Sequence, residues 1–160
     1  MTPTHLLLAT DGSEPSLEAA RLVRDLLNPA ALARITVLAV VPPLETVPFY
    51  GMGTLYGGGM VSQEGWDEVT ASAERTAQDA VRRTVAELHT PIPVETVVRH
   101  GSPADEIVRR AAESGAGIIV MGSRGFGEMH AVLLGSVSER VLHTAHCPVL
   151  IARPAETHAT

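Results

Sequence analysis

Three glycines and a serine stand where the chain could hold a phosphate: Gly122, Gly125, Gly135 and Ser136, in the pattern Gly-x2-Gly-x9-Gly-Ser. Glycine has no Cβ to keep a phosphate off the backbone, and it permits turns that aim successive N–H groups at one point. Gly135-Ser136 also falls where an amphipathic stretch begins. The first turn of a helix offers unpaired amides and the positive end of the macrodipole, a natural seat for phosphate. Amides would have to serve here in place of lysine, because all 12 basic residues are arginine. That absence removes the Walker lysine, the protein-kinase strand lysine and Schiff-base chemistry. Each residue also has a plainer role open to it. Gly122 can simply end a strand, and Ser136 with Glu139 matches the Ser-x-x-Glu capping box, which satisfies a helix end without a ligand.

Asp11, in Asp11-Gly12-Ser13, follows the first apolar run. It is either a turn former and cap for the helix behind it, or a carboxylate placed opposite the glycine loop. Arg124 and His130 lie within that loop. Arg124 is either a phosphate partner, since a guanidinium fork suits such oxygens, or a solvated loop residue. His143 and His146 are three apart near the end of the last helix, with no third metal ligand in view, so a helix-end role suits them better. Cys147, the single cysteine, reads as a small buried hydrophobe rather than a nucleophile. Gly122-Ser123-Arg124-Gly125 lacks the spacing of a nucleophile elbow, and no catalytic residue is assigned.

The elements that must position these residues alternate between short apolar runs and longer amphipathic stretches, the pattern of a parallel α/β sheet. Strands are predicted at 6–9, 35–41, 94–99, 118–121 and 149–152. Helices are predicted from Ser13 to Asn28, from Trp66 or Asp67 to Leu88, from Ser102 to Gly115 and from Ser136 to Ala145. Ser13 and Ser102 fall at cap positions, and Gly115 can terminate the third helix. Val94 to Arg99 is the most polar strand and belongs at an edge, whereas Leu6 to Ala9 and Ile118 to Met121 belong near the centre. With right-handed crossovers this predicts one α/β domain whose five parallel strands run in the order 3-2-1-4-5, wound like flavodoxin with helices on both faces. Ligands in such sheets bind beyond the carboxyl ends of the strands where the winding reverses, here between the first and fourth strands. The loops after Ala9-Thr10 and after Met121 meet there.

At this point a resemblance becomes specific. Gly122-x2-Gly125-x9-Gly135-Ser136 is similar to the ATP-binding signature of the universal stress protein family in every fixed position. Thr10-Asp11-Gly12-Ser13, Gly101-Ser102-Pro103 and Cys147-Pro148-Val149-Leu150 also fit the family pattern. The resemblance implies the adenine-nucleotide alpha hydrolase-like fold, with residues 1–154 as a nucleotide-binding domain and 155–160 as a flexible tail. It implies that Gly122, Gly125, Gly135, Ser136 and Val137 bind phosphates, mainly through backbone N–H groups. Asp11 would meet the ribose or a divalent cation, Mg or Mn, carried by the nucleotide. Val40 would offer its backbone to adenine, with Met121 and Ala9 lining the pocket. Family members with the signature often carry proline where Ala9 stands and histidine where Ala39 stands, so the adenine side departs from the pattern more than the phosphate side. ATP is the expected ligand, with AMP as a variant.

Composition narrows the function classes. A formal net charge of -6 argues against a broad nucleic-acid or anionic-membrane surface. No stretch approaches the roughly 18 apolar residues that cross a bilayer, and the lone cysteine suits a reducing compartment, so the expected location is cytoplasmic. The apolar last strand, Val149 to Ala152, should lie at a sheet edge, where it would pair antiparallel with a second copy in a homodimer. The function expected is a nucleotide-dependent regulatory or stress-response protein acting on an unidentified protein partner. Slow ATP hydrolysis or phosphoryl transfer is the enzymatic alternative, and a nucleotide-free dimeric interaction module the third. The glycine-rich stretch 43–65, with Phe49, Tyr50 and Tyr56, is either a lid over the nucleotide or a disordered insertion.

Overall fold

A computed structural model describes residues 4–43, 63–125 and 134–153. Phe49, Tyr50 and Tyr56 of the glycine-rich stretch, His130 and the tail lie outside the described residues. The strands are β1 (Thr4–Ala9), β2 (Leu32–Val41), β3 (Val94–His100), β4 (Ile118–Gly122) and β5 (Val149–Ala152). The helices are α1 (Glu14–Leu26), α2 (Gln63–Leu88), α3 (Pro103–Ser114) and α4 (Ser136–Thr144). All pairings are parallel, in the order β3-β2-β1-β4-β5, as expected from the sequence.

The order follows from how apolar each strand is. Leu6, Leu7 and Leu8 of β1 are fully buried, as are Ile119 and Val120 of β4, because helices cover both sheet faces there. Strand side chains alternate between faces, so β1 divides its leucines between two cores. Leu6 and Leu8 join Val37, Val120 and the α1 and α2 residues Ala20, Val23, Ala77 and Val81. Leu7 and Ala9 join Leu38, Met121 and the α3 and α4 residues Ile107, Ala111 and Val141. Polar β3 takes one edge, with Glu95 and Thr96 exposed.

Several boundaries differ from expectation. β1 and β2 each begin earlier than their apolar runs, at Thr4 and Leu32, because pairing with each other extends them; a 3-10 turn at Pro29–Ala31 leads into β2. Helix α2 is already formed at Gln63, and α4 closes at Thr144 rather than Ala145. Gly115 does terminate α3, with φ +64°, and its amide donates to carbonyls of the last turn. Ser13 and Ser102 occupy cap positions without capping through their side chains.

Candidate functional site

Two loops meet at the carboxyl ends of β1 and β4. The first is held by hydroxyls. The Thr10 hydroxyl donates to Ser16 Oγ at 3.0 Å, accepts from the Gly12 amide at 3.1 Å and lies 2.7 Å from Thr84 Oγ1 on α2. Gly12 then turns at φ +79°, and a Cβ there would stand 3.0 Å from Ala80 Cβ, so only glycine lets α2 approach this closely. Asp11 stands at the tip of this turn. Its Oδ1 accepts from the Ser13 amide at 3.0 Å and the Ser13 hydroxyl at 2.5 Å, which fixes the carboxylate in an Asx turn. The Ser13 hydroxyl thus orients Asp11 and leaves the helix end alone.

The second loop follows β4 and is drawn together at its neck. The Ser123 carbonyl accepts from the Gly135 amide at 2.8 Å and from the Ser138 hydroxyl at 2.8 Å, while the Ser123 amide donates to Ala152 at 2.8 Å. Gly125 faces Asp11 directly: a Cβ at Gly125 would collide with Asp11 Oδ2. Gly122 is glycine for a different reason, since a Cβ there would lie 2.6 Å from the Pro15 carbonyl carbon in the first turn of α1.

The capping box that Ser136 and Glu139 could have made, the plainer of their two readings, is not formed. Gly135, which has no side chain, occupies the cap, and Ser136 is the first helical residue and exposed. The first intrahelical bond runs from the Glu139 amide to the Gly135 carbonyl at 2.9 Å. The amides ahead of it have no capping hydroxyl, and Gly135, Ser136, Val137 and Ser138 line the space between the loops.

That space is a cleft of about 350 Å³. It brings together every described residue singled out for it: Ala9, Asp11, Val40, Met121, Gly122, Arg124, Gly125, Gly135, Ser136 and Val137. Its floor at one end is apolar, made by Leu38 and Val40 of β2 and Met121 of β4, with Pro42, Pro103 and Ile107 around it. The other end is walled by glycine backbone, Asp11 and the first turn of α4. A flat apolar group fits the first end and an anion the second. Asp11 is also the carboxylate beside which a divalent cation could sit, with Oδ1 committed to Ser13 and Oδ2 turned toward the glycine loop.

Thr10, Ser16, Leu38, Pro42, Pro103, Ile107 and Ser138 also line the cleft and were not expected. Leu38 shares the face of Val40, two residues on, so strand alternation alone could have found it. Ser138 carries no such signal. Cys147 packs against the α3–α4 core, and burial pushes its thiol pKa up, away from the nucleophilic thiolate. His143 bonds through Nδ1 to the Glu139 carbonyl at 2.9 Å, a helix-end contact.

The model for the universal stress protein family matches residues 3–153. The chain belongs to that family. Universal stress protein MJ0531 of Methanocaldococcus jannaschii is 33% identical over 150 residues, covering 92% of this chain and 81% of that protein. A universal stress protein crystallised in complex with cAMP superposes with a TM-score of 0.55 at 24% identity, over 96% of this chain and 98% of that one. A universal stress protein family protein from Arabidopsis thaliana with AMP bound gives a TM-score of 0.62 at 18% identity, over 94% and 92%. At these identities the two solved structures share the fold with this universal stress protein. Among the described residues, no helix is long and apolar enough to cross a membrane.

Proposed function

We propose that this universal stress protein binds ATP in the cleft between the β1 and β4 loops, and acts in the cytoplasm as a nucleotide-dependent regulatory protein in the stress response. The observation that carries the reading is the glycine-capped start of α4, which opens beside Gly125 and Asp11 into a cleft whose other end is apolar. Phosphates would lie against the backbone of Gly122, Gly125, Gly135, Ser136 and Val137, with Arg124 at the side. Adenine would lie between Ala9, Val40 and Met121. Asp11 would hold the ribose or a magnesium or manganese ion that arrives with the nucleotide. The AMP and cAMP bound by the two structural neighbours support an adenine nucleotide as the ligand class. A dimer through β5 accompanies this reading, since β5 is an edge strand with three part-buried apolar residues, Val149, Leu150 and Ile151.

The test is nucleotide content and binding. Purified protein, denatured and cleared, should release ATP or AMP detectable by mass spectrometry. Titration of nucleotide-free protein with Mg-ATP should saturate at one per chain. Gly135→Val should abolish that binding while the thermal melt stays cooperative, because the added side chain would fill the seat ahead of the first α4 amides. A wild-type protein that neither carries nor takes up adenine nucleotide would refute the proposal.

A further inference from the structure

Asp11 has two sides. One faces Gly125 and the nucleotide cleft; the other opens on a groove walled by Gly12, Thr76, Asp79, Ala80 and Arg83. The groove exists because Gly12 lets α2 come close, and the same approach brings Arg83 Nη1 to 3.7 Å from where a Gly12 Cβ would stand. Arg82, one residue earlier, is paired with Asp79. Arg83, like Arg34 and Arg153, has no acidic partner among the described residues, whereas Arg21, Arg24, Arg75, Arg99, Arg109, Arg110 and Arg140 all have one; of the three, Arg83 is the one whose groove Asp11 also lines. A guanidinium left without a carboxylate beside Gly12, in a groove that shares Asp11 with the cleft, is placed to receive an anion.

We infer that Arg83 is a specificity residue of the nucleotide site, receiving the terminal phosphate of a triphosphate that extends from the Gly125 loop past Asp11. The inference rests on the proposed nucleotide reading and goes one step further, since it says which nucleotide the site prefers. Phosphates seated at Gly125 would lie next to Asp11 Oδ2, and Asp11 is the residue that the cleft shares with the groove lined by Arg83. Without a ligand the groove is electrically balanced, with Asp11 and Asp79 against Arg82 and Arg83. Neutralising Asp11 with the cation that accompanies the nucleotide leaves a net positive charge facing the last phosphate. AMP has no phosphate beyond the one that would be seated on the glycine loop.

The experiment compares ATP, ADP and AMP, each with magnesium, on wild-type protein and Arg83→Gln by calorimetric titration. Arg83 makes no hydrogen bond or ion pair in the described structure, so the variant should melt as the wild type does. We expect a loss of about fivefold to tenfold in ATP affinity, the upper part of the range for one ordinary hydrogen bond because the site is solvated, with AMP affinity unchanged within twofold. If the wild type binds ATP but Arg83→Gln keeps its preference for ATP over AMP, the inference about Arg83 falls and the nucleotide reading stands. If the wild type binds none of the three, both fall.

Discussion

Gly122→Ala should destabilise this protein, although the same change at most positions of ordinary backbone does the opposite. Gly122 is not among the glycines with positive φ, so alanine can adopt its backbone conformation, and the usual gain would be about 0.4–1 kcal/mol through the unfolded chain. The obstacle is what the new methyl meets. It would lie 2.6 Å from the Pro15 carbonyl carbon, 2.7 Å from the Pro15 oxygen and 2.7 Å from the Ser16 nitrogen. Comfortable carbon contacts begin near ~3.5 Å, so α1 or β4 must yield by about 1 Å. Neither gives way easily. The first turn of α1 is fixed by the Ser16 and Leu17 amides on the Ser13 carbonyl, both at 3.0 Å, and by the Thr10 hydroxyl on Ser16. β4 is paired on both sides. Overpacking of a tight site costs typically 1–3 kcal/mol, and an obstacle of helix backbone places this case near the top, at about 3 kcal/mol. For a chain of this size that lowers Tm by roughly 6–12 °C. Urea denaturation followed by circular dichroism should show a lower midpoint with an unchanged m-value. A variant as stable as the wild type, or more so, would show that strand and helix are not in the contact described.

Two further outcomes are expected. His5 bonds through Nδ1 to the Ser114 carbonyl at 3.1 Å and through Nε2 to Thr36 at 2.9 Å, with Arg34, Glu95 and Arg110 around it, and burial foremost holds its pKa below the ordinary imidazole value. The unfolded chain then takes up the proton first, so this contribution is complete above about pH 6.5 and is lost as the pH falls below it. Melting temperature should therefore drop between pH 7.5 and 5.5 with a shallower slope in His5→Gln; identical slopes would count against it. Light scattering on the eluting protein at micromolar concentration should give twice the chain mass of 16.9 kDa, and a monomer would remove β5 as the pairing edge.

The strand order could be read from the sequence because it depends on a quantity carried by each strand alone, its polarity. Glu95, Thr96 and Arg99 mark an edge, and Leu6-Leu7-Leu8 and Ile118-Ile119-Val120 mark the middle; right-handed crossovers then leave little choice. The glycine loop was legible for the same reason, since its parts lie close together in the chain. What stayed hidden depends on residues far apart. Nothing near Thr10 announces its contact with Thr84, 74 positions on, or that Gly12 makes room for Ala80. The cap of α4 stayed open in the sequence because Ser136 and Glu139 have the right spacing for a capping box, and only the backbone turn at Gly135, which carries the serine one position into the helix, decides against it. Gly122 showed only a strand end, when its lack of a side chain answers to Pro15 in the first turn of α1.

The neck at Ser123 has a consequence for how this site can change. One carbonyl at the strand end takes both donors from the helix side, the Gly135 amide and the Ser138 hydroxyl, so strand and helix are registered to each other directly. Lengthening such a closed excursion is cheap, at about 0.6 kcal/mol for each doubling. Segments of different size and chemistry could be grafted between Gly125 and Gly135 while the sheet beneath stays as it is, making this loop the natural place for related proteins, or a designer, to alter what the cleft accepts.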